Sequence, residues 1–138
     1  MADVFSKTVR SEIMGRIRGV NTRPEILVRS FLHTRGFRFR LHAKALPGKP
    51  DIVLPRYKTV IFVHGCFWHG HTDCKRSALP STRRGFWSRK IDGNKMRDRE
   101  QIRALRSLGW RVVVIWECET KRAGSLKTRL KILETKKG

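Results

Sequence analysis

The sequence predicts an α/β fold in which a mixed β-sheet is flanked by helices. Two apolar runs carry that prediction. Thr59-Val60-Ile61-Phe62-Val63 and Arg111-Val112-Val113-Val114-Ile115-Trp116 are short, β-branched and bounded by turn residues, so both read as buried strands. Between them Ile102, Leu105 and Leu108 recur at helical spacing. Strand, helix, strand is a crossover, in which the two strands can be parallel neighbours ending at one sheet edge. The third observation is size: 138 residues suit one continuous core, and no internal repeat or linker divides the chain.

The remaining elements follow in order. Residues 1–20 are polar and basic, with Val9, Ile13, Met14 and Ile17 on one helical face. Gly15 and Gly19 loosen this stretch, so it suits either a packed helix or an arm that closes over a ligand. Residues 21–138 form the single domain. Thr22-Arg23-Pro24-Glu25 is a capping-box pattern with Pro in the first turn. It opens a helix bearing Ile26, Leu27, Phe31 and Leu32, which Gly36 ends. Phe37-Arg38-Phe39-Arg40-Leu41 alternates strictly and predicts a strand with one buried face. Residues 42–49 predict a loop, and Asp51-Ile52-Val53-Leu54 a short strand opened by a carboxylate. Residues 75–90 are basic and aromatic without a period, which predicts an ordered loop with a helical turn. A helix is expected from about residue 94 to 108, stopped by Gly109. Leu126, Leu130 and Leu133 predict a basic amphipathic helix at the end.

Charge narrows the function. The chain carries 32 basic and 11 acidic residues, a net charge of +21 spread along its whole length. Such a surface calls for a polyanion, nucleic acid first. No apolar run approaches the roughly 20 residues of a spanning helix. No secretion signal is visible, so a cytoplasmic location is the expectation. Three cysteines are an odd number for such a compartment and point to free thiols or a metal site rather than disulfides.

Chemistry concentrates in Val63-His64-Gly65-Cys66-Phe67-Trp68-His69-Gly70-His71-Thr72-Asp73-Cys74, directly after the first buried strand. Cys66, His71 and Cys74, closed by Cys118 from the end of the second strand, make a Cys3His set suited to structural zinc. His69 could replace His71, and spacing leaves that choice open. Asp51, at the start of one strand, lies beside the end of the next, where a carboxylate suits Mg²⁺. His64 and His69 could then move protons or neutralise a phosphate, and Glu25 could orient one of them. Phe67, Trp68, Phe86 and Trp87 form two adjacent pairs that cannot all point inward, which suits insertion between base pairs.

With these residues in view, the chain resembles the very short patch mismatch repair endonucleases. The resemblance is carried by Thr22-Arg23-Pro24-Glu25, by Phe37 through His42, by Leu46-Pro47-Gly48-Lys49-Pro50-Asp51-Ile52-Val53-Leu54-Pro55 and by Val60 through His69. It continues in Gly109-Trp110-Arg111-Val112 and Trp116-Glu117-Cys118, so it spans roughly residues 6–120. It implies a restriction-endonuclease-like mixed sheet flanked by helices, with a structural zinc site. It implies an enzyme that nicks one strand of double-stranded DNA 5′ to the thymine of a T:G mismatch, the product of 5-methylcytosine deamination. Asp51 matches the Mg²⁺-binding aspartate and the backbone carbonyl of Val63 the second protein ligand. His64 matches a histidine at the scissile phosphate, and His69 the catalytic histidine assisted by Glu25. Cys66, His71, Cys74 and Cys118 match zinc ligands. Phe67, Trp68 and Trp87 match aromatics that wedge into the duplex. Residues 1–20, with Met14 and Ile17, match an arm that clamps DNA from the minor groove. The expected state is a cytoplasmic, nucleoid-associated monomer with other mismatch-repair proteins as further partners. One departure from the wider fold matters. The acidic-x-Lys triplet usual after the metal aspartate is missing from Ile61-Phe62-Val63-His64, so His64 and His69 must compensate. Otherwise the chain is a non-catalytic, zinc-stabilised DNA-binding module. An RNA-binding protein is a further alternative, marked by preference for single strands.

Overall fold

The structure, a computed structural model, describes residues 22–122 and 124–135. The proposed arm, with Met14 and Ile17, lies outside the described residues. Helix α1 spans Arg23–Thr34, followed by strands β1 (Arg40–Leu41), β2 (Ile52–Leu54) and β3 (Thr59–His64). Helix α2 spans Arg84–Ser107 and leads into β4 (Arg111–Trp116), then two short helices, α3 (Ser125–Arg129) and α4 (Ile132–Thr135). One four-stranded sheet results, in the order β1-β2-β3-β4. The first two pairings are antiparallel and the β3–β4 pairing is parallel, as the crossover allowed.

Alternation along the strands builds a core on each face. Ile52, Leu54, Ile61, Val113 and Ile115 face α1, through Val28 and Leu32, and the C-terminal Leu130 and Leu133. Val53, Val60 and Phe62 face the other way and pack on Leu105 of α2. Because β3 is covered on both faces, it reads as a continuous apolar run rather than an alternating one.

The ends of α1 follow the expected chemistry. The Thr22 hydroxyl accepts the Glu25 amide at 3.3 Å. Gly36 sits at φ +82°, and the Phe37 amide bonds back to the Leu32 carbonyl at 3.1 Å, which closes the helix.

Three elements differ from the expectation. Only Arg40–Leu41 of the 37–41 segment forms a strand. Arg40 pairs with Val53, so continuing that register sets Arg38 against Pro55, which has no N–H to give. Phe37 and Phe39 still pack on the core, but Leu41 is exposed, so the alternation reported burial only in part and did not report pairing. Helix α2 begins at Arg84, well before residue 94, and absorbs the second half of the expected loop. Its N-terminus has no side-chain cap, and its first turn carries Trp87, which packs on Phe67 and Trp68. The C-terminal helix is two short helices, with Leu130 at the break.

Among the described residues no helix is long and apolar enough to cross a membrane. Leu32, fully buried between α1 and the sheet, tests the packing. Leu32→Ala should lower stability by about 2–5 kcal/mol in urea titrations; an unshifted midpoint would place this side chain outside the core.

Candidate active site

Strand register places the site. Ile52 pairs with Ile61, so Asp51 lies across from the last residues of β3. The Val63 amide donates to Asp51 Oδ2 at 2.7 Å. His64 pairs with Trp116 at the far end of β3 and β4, and two residues beyond each lie Cys66 and Cys118. Everything singled out between residues 51 and 74 therefore gathers at one sheet edge. A cleft of about 820 Å³ opens there, lined by Glu25, His42, Asp51, Val63, His64, Trp68, His69, Asn94 and Asp98 and by Lys44, Lys49 and Lys90.

The cleft holds two groups of titratable side chains. In the first, Glu25, His42 and Asp51 bring their polar atoms within 4.8 Å of one another. Burial pushes the Asp51 carboxyl up to about 7, against the pull of the Val63 amide, and the nearby Glu25 charge raises it further. Glu25 is 1% exposed, and its Oε2 accepts from His42 Nε2 at 2.5 Å and from Arg29 at 3.3 Å. The capping box is thus half used. Thr22 caps the helix, while the Glu25 carboxylate turns into the cleft.

The second group is His64, His69 and Asp98, also within 4.8 Å. The imidazoles of His64 and His69 stack at 3.8 Å with an interplanar angle of 2°. Burial holds His64 down to about 3, and the neighbouring His69 lowers it further although the Asp98 charge opposes. His64 is therefore neutral at pH 7. Its Nδ1 is buried and, among the described residues, has no hydrogen-bond partner. Such an orphan is costly in a core and makes sense where a ligand completes the bond. His69 Nδ1 donates to Asp98 Oδ2 at 2.7 Å, which fixes the ring and leaves Nε2 as the basic nitrogen.

A third group lies just beyond. Cys66, His71, Cys74 and Cys118 offer one ligand atom each, all within 4.8 Å. His71 Nδ1 is 3.5 Å from Cys118 Sγ, and the His71 ring stacks on Trp116 at 4.1 Å. Burial pushes the Cys66 thiol up to about 12, with the Cys118 and Cys74 thiols adding to the rise. Three thiols and an imidazole so close, with a thiol that burial keeps protonated, fit a soft divalent cation that displaces the protons. His71 sits with the cysteines and His69 with Asp98, so the structure separates the two histidines that spacing left interchangeable. Gly70 between them has φ +61°, and a Cβ there would come within 2.8 Å of Ile91 on α2. The loop is pressed against that helix.

The aromatics form one cluster. Phe67, Trp68 and Trp87 contact one another edge to face at 5.3–5.8 Å, and Phe86 packs on Trp87 at 5.1 Å. Asn94 donates to the Trp68 carbonyl at 2.8 Å. Asn94 and Asp98 stand one turn apart on α2, so one helix face braces both Trp68 and His69.

Asp98, Asn94 and His42 were not singled out from the sequence. Asp98 and Asn94 share a helix face with Lys90, a spacing visible in the sequence, but nothing there says which face of a basic helix meets the cleft. Glu25 was expected to assist His69; the structure brings it to Asp51 and His42 and brings Asp98 to His69.

A model of the family described as DNA mismatch endonuclease Vsr matches residues 2–76. A type II nicking enzyme of Xanthomonas oryzae pv. oryzae is 51% identical over 131 residues, covering 95% of this chain and 96% of that protein. A type II nicking enzyme of Neisseria meningitidis serogroup A is 45% identical over 130 residues, covering 94% and 92%. The DNA mismatch endonuclease Vsr of Escherichia coli K12 is 47% identical over 118 residues, covering 86% and 75%.

The burial of Asp51 and His64 has a measurable consequence. Raising Asp51 to about 7 destabilises the folded state at any pH where the unfolded carboxyl is ionised, from about 4 upward and fully above 7. Lowering His64 to about 3 removes stability as pH falls below about 6.5, so the two effects oppose each other in weak acid. With divalent cations left out of the buffer, Asp51→Asn should be more stable than wild type at pH 8, by up to about 4 kcal/mol. The two melting curves should converge toward pH 4. Equal stability at pH 8 would show that this carboxylate carries no burial penalty.

Proposed function

Since the chain belongs to the DNA mismatch endonuclease Vsr family and is a strand-nicking endodeoxyribonuclease, we propose that it cuts duplex DNA 5′ to the thymine of a T:G mismatch in a Mg²⁺-dependent hydrolysis. Membership of an endonuclease family removes the non-catalytic alternative. The observation that carries the reading is the meeting of two groups in one cleft: a half-buried carboxyl, Asp51, held at its Oδ2 by the Val63 amide, and an imidazole, His69, tied to Asp98 at 2.7 Å.

Asp51 and the Val63 carbonyl would hold Mg²⁺, which when bound supplies positive charge to the scissile phosphate. His69 takes the proton of the attacking water at Nε2, because Asp98 holds its Nδ1 proton and stabilises the imidazolium that forms. Glu25, beside Asp51, orients that water from the opposite side. His64, kept neutral by burial, offers its ring nitrogen to the phosphate. Lys44, Lys49 and Lys90 in the cleft draw the sugar-phosphate backbone in.

Selectivity rests on the aromatic cluster. Phe67, Trp68 and Trp87 wedge between base pairs, and prising apart a poorly stacked wobble pair costs less than opening a matched one. Residues 1–20, with Met14 and Ile17, form the arm that closes over the duplex. One monomer is sufficient for a single nick. Cys66, His71, Cys74 and Cys118 would hold Zn²⁺ and fix the loop that carries His69 and Trp68.

A nicking assay on T:G and T:A duplexes tests the reaction. Wild type with Mg²⁺ should nick the T:G duplex alone, and Asp51→Ala and His69→Ala should each lose at least about 100-fold. Wild type that binds the duplex and never cuts would sink the mismatch reading, and variants as fast as wild type would sink the residue roles.

Metal analysis addresses the cysteine cluster. One zinc per chain is expected, and Cys118→Ser should release it and lower the melting temperature. A zinc-free wild type of unchanged stability is the contrary result.

A further inference from the structure

We propose that His42 is a positioning residue for the nicking reaction, holding the Glu25 carboxylate in a single orientation beside Asp51. The inference rests on the reading above, in which Glu25 orients the attacking water.

Two features of the geometry support it. First, Glu25 is almost fully buried, and its two donors, His42 Nε2 at 2.5 Å and Arg29 at 3.3 Å, converge on one oxygen, Oε2. Paired donors on one oxygen fix the rotation of the carboxylate plane. Arg29 stands one turn along the same helix and moves with Glu25. His42 comes from the chain after β1, so among the described residues its bond is the one that ties the α1 carboxylate to the sheet. Second, the backbone of His42 donates to the Asp51 carbonyl at 3.0 Å. One residue therefore grips Glu25 with its ring and Asp51 with its main chain. It does so at φ +47°, a left-handed conformation uncommon for a residue with a side chain. That conformation turns the ring toward Glu25 while the amide stays in the sheet ladder.

Among the described residues, removing the ring leaves Glu25 with the side-chain donor from its own helix only. The ladder bond survives, because any residue supplies the amide. His42→Leu should therefore lower single-turnover nicking of a T:G duplex about 10- to 100-fold, the range for a lost bond to a charged group. Duplex affinity should stay within about twofold, as expected for a residue that acts on orientation rather than binding. His42→Gln, which keeps an N–H donor at similar reach, should recover most of the rate. The decisive measurement is the double-variant cycle. In a Glu25→Gln background, His42→Leu should add little further loss, since it acts through the carboxylate already removed.

Multiplying losses in the double variant would overturn the proposal, as would a His42→Leu enzyme as fast as wild type while Glu25→Gln is slow. Weakened duplex binding with an unchanged single-turnover rate would likewise overturn it and mark His42 as a binding residue. If Glu25→Gln itself nicks at the wild-type rate, the role given to Glu25 under Proposed function fails, and the role of His42 fails with it.

Discussion

Six residue pairs join β3 to β4 in parallel, from Thr59 with Arg111 to His64 with Trp116. The rest of the site depends on that register. Because the strands run the same way, both emit their following loops at one edge. Cys118 then reaches the loop that carries Cys66, His71 and Cys74, although more than forty residues lie between them. Antiparallel pairing would send Cys118 to the opposite end of the sheet. A one-residue slip would turn His64 from one face to the other and part it from Asp98. The antiparallel β2–β3 pair completes the arrangement by bringing the first residue before β2, Asp51, to the last residues of β3.

Burial then sets the chemistry. Asp51 and His64 are pushed in opposite directions from their ordinary values, and both shifts favour the uncharged form. In a chain of net charge +21, a cleft whose acid and imidazole both resist charging is not built for internal pairing. In the proposed reaction a cation would complete the carboxyl and an anion the ring. A divalent ion and a phosphate are such a pair. The neighbouring charges are arranged for the same outcome: lysines line the cleft, while Glu25 and Asp98 each hold an imidazole in place.

The sequence carried the architecture to the extent that local rules govern it. The two apolar runs and the helical spacing between them are short-range signals, and the crossover follows from topology. The Cys3His set was legible because the predicted parallel strands share an edge. What stayed hidden depends on long-range packing. Helix α2 begins ten residues early because Trp87 docks on the loop bearing Phe67 and Trp68, and no cap residue announces the start. Strand β1 stops short because its partner runs into Pro55. Asp98 was invisible as a functional residue for the same reason as α2's true length: an acid on a basic helix reads as solvated charge until the facing loop is known. Glu25 shows the converse. Its capping position was correct, yet its side chain answers to His42, which is seventeen residues away.

Helix α2 links recognition to catalysis in the proposed scheme. Trp68 and His69 are adjacent, yet in that scheme they would serve different ends, one at the base stack and the other at the phosphate. Adjacent side chains on a free loop would move together and could not be placed independently. Here each is held by its own residue one turn apart on a rigid element, Asn94 at the Trp68 carbonyl and Asp98 at the His69 ring. Gly70 lets the loop lie against that helix closely enough for both bonds to form. Holding a metal, the Cys66–His71–Cys74–Cys118 group would anchor the other side in the same scheme. With the loop clamped from two directions, the proposed insertion of the aromatics into a duplex would leave His69 fixed against Asp98. A wedge can then strain the DNA without displacing the base that acts on it.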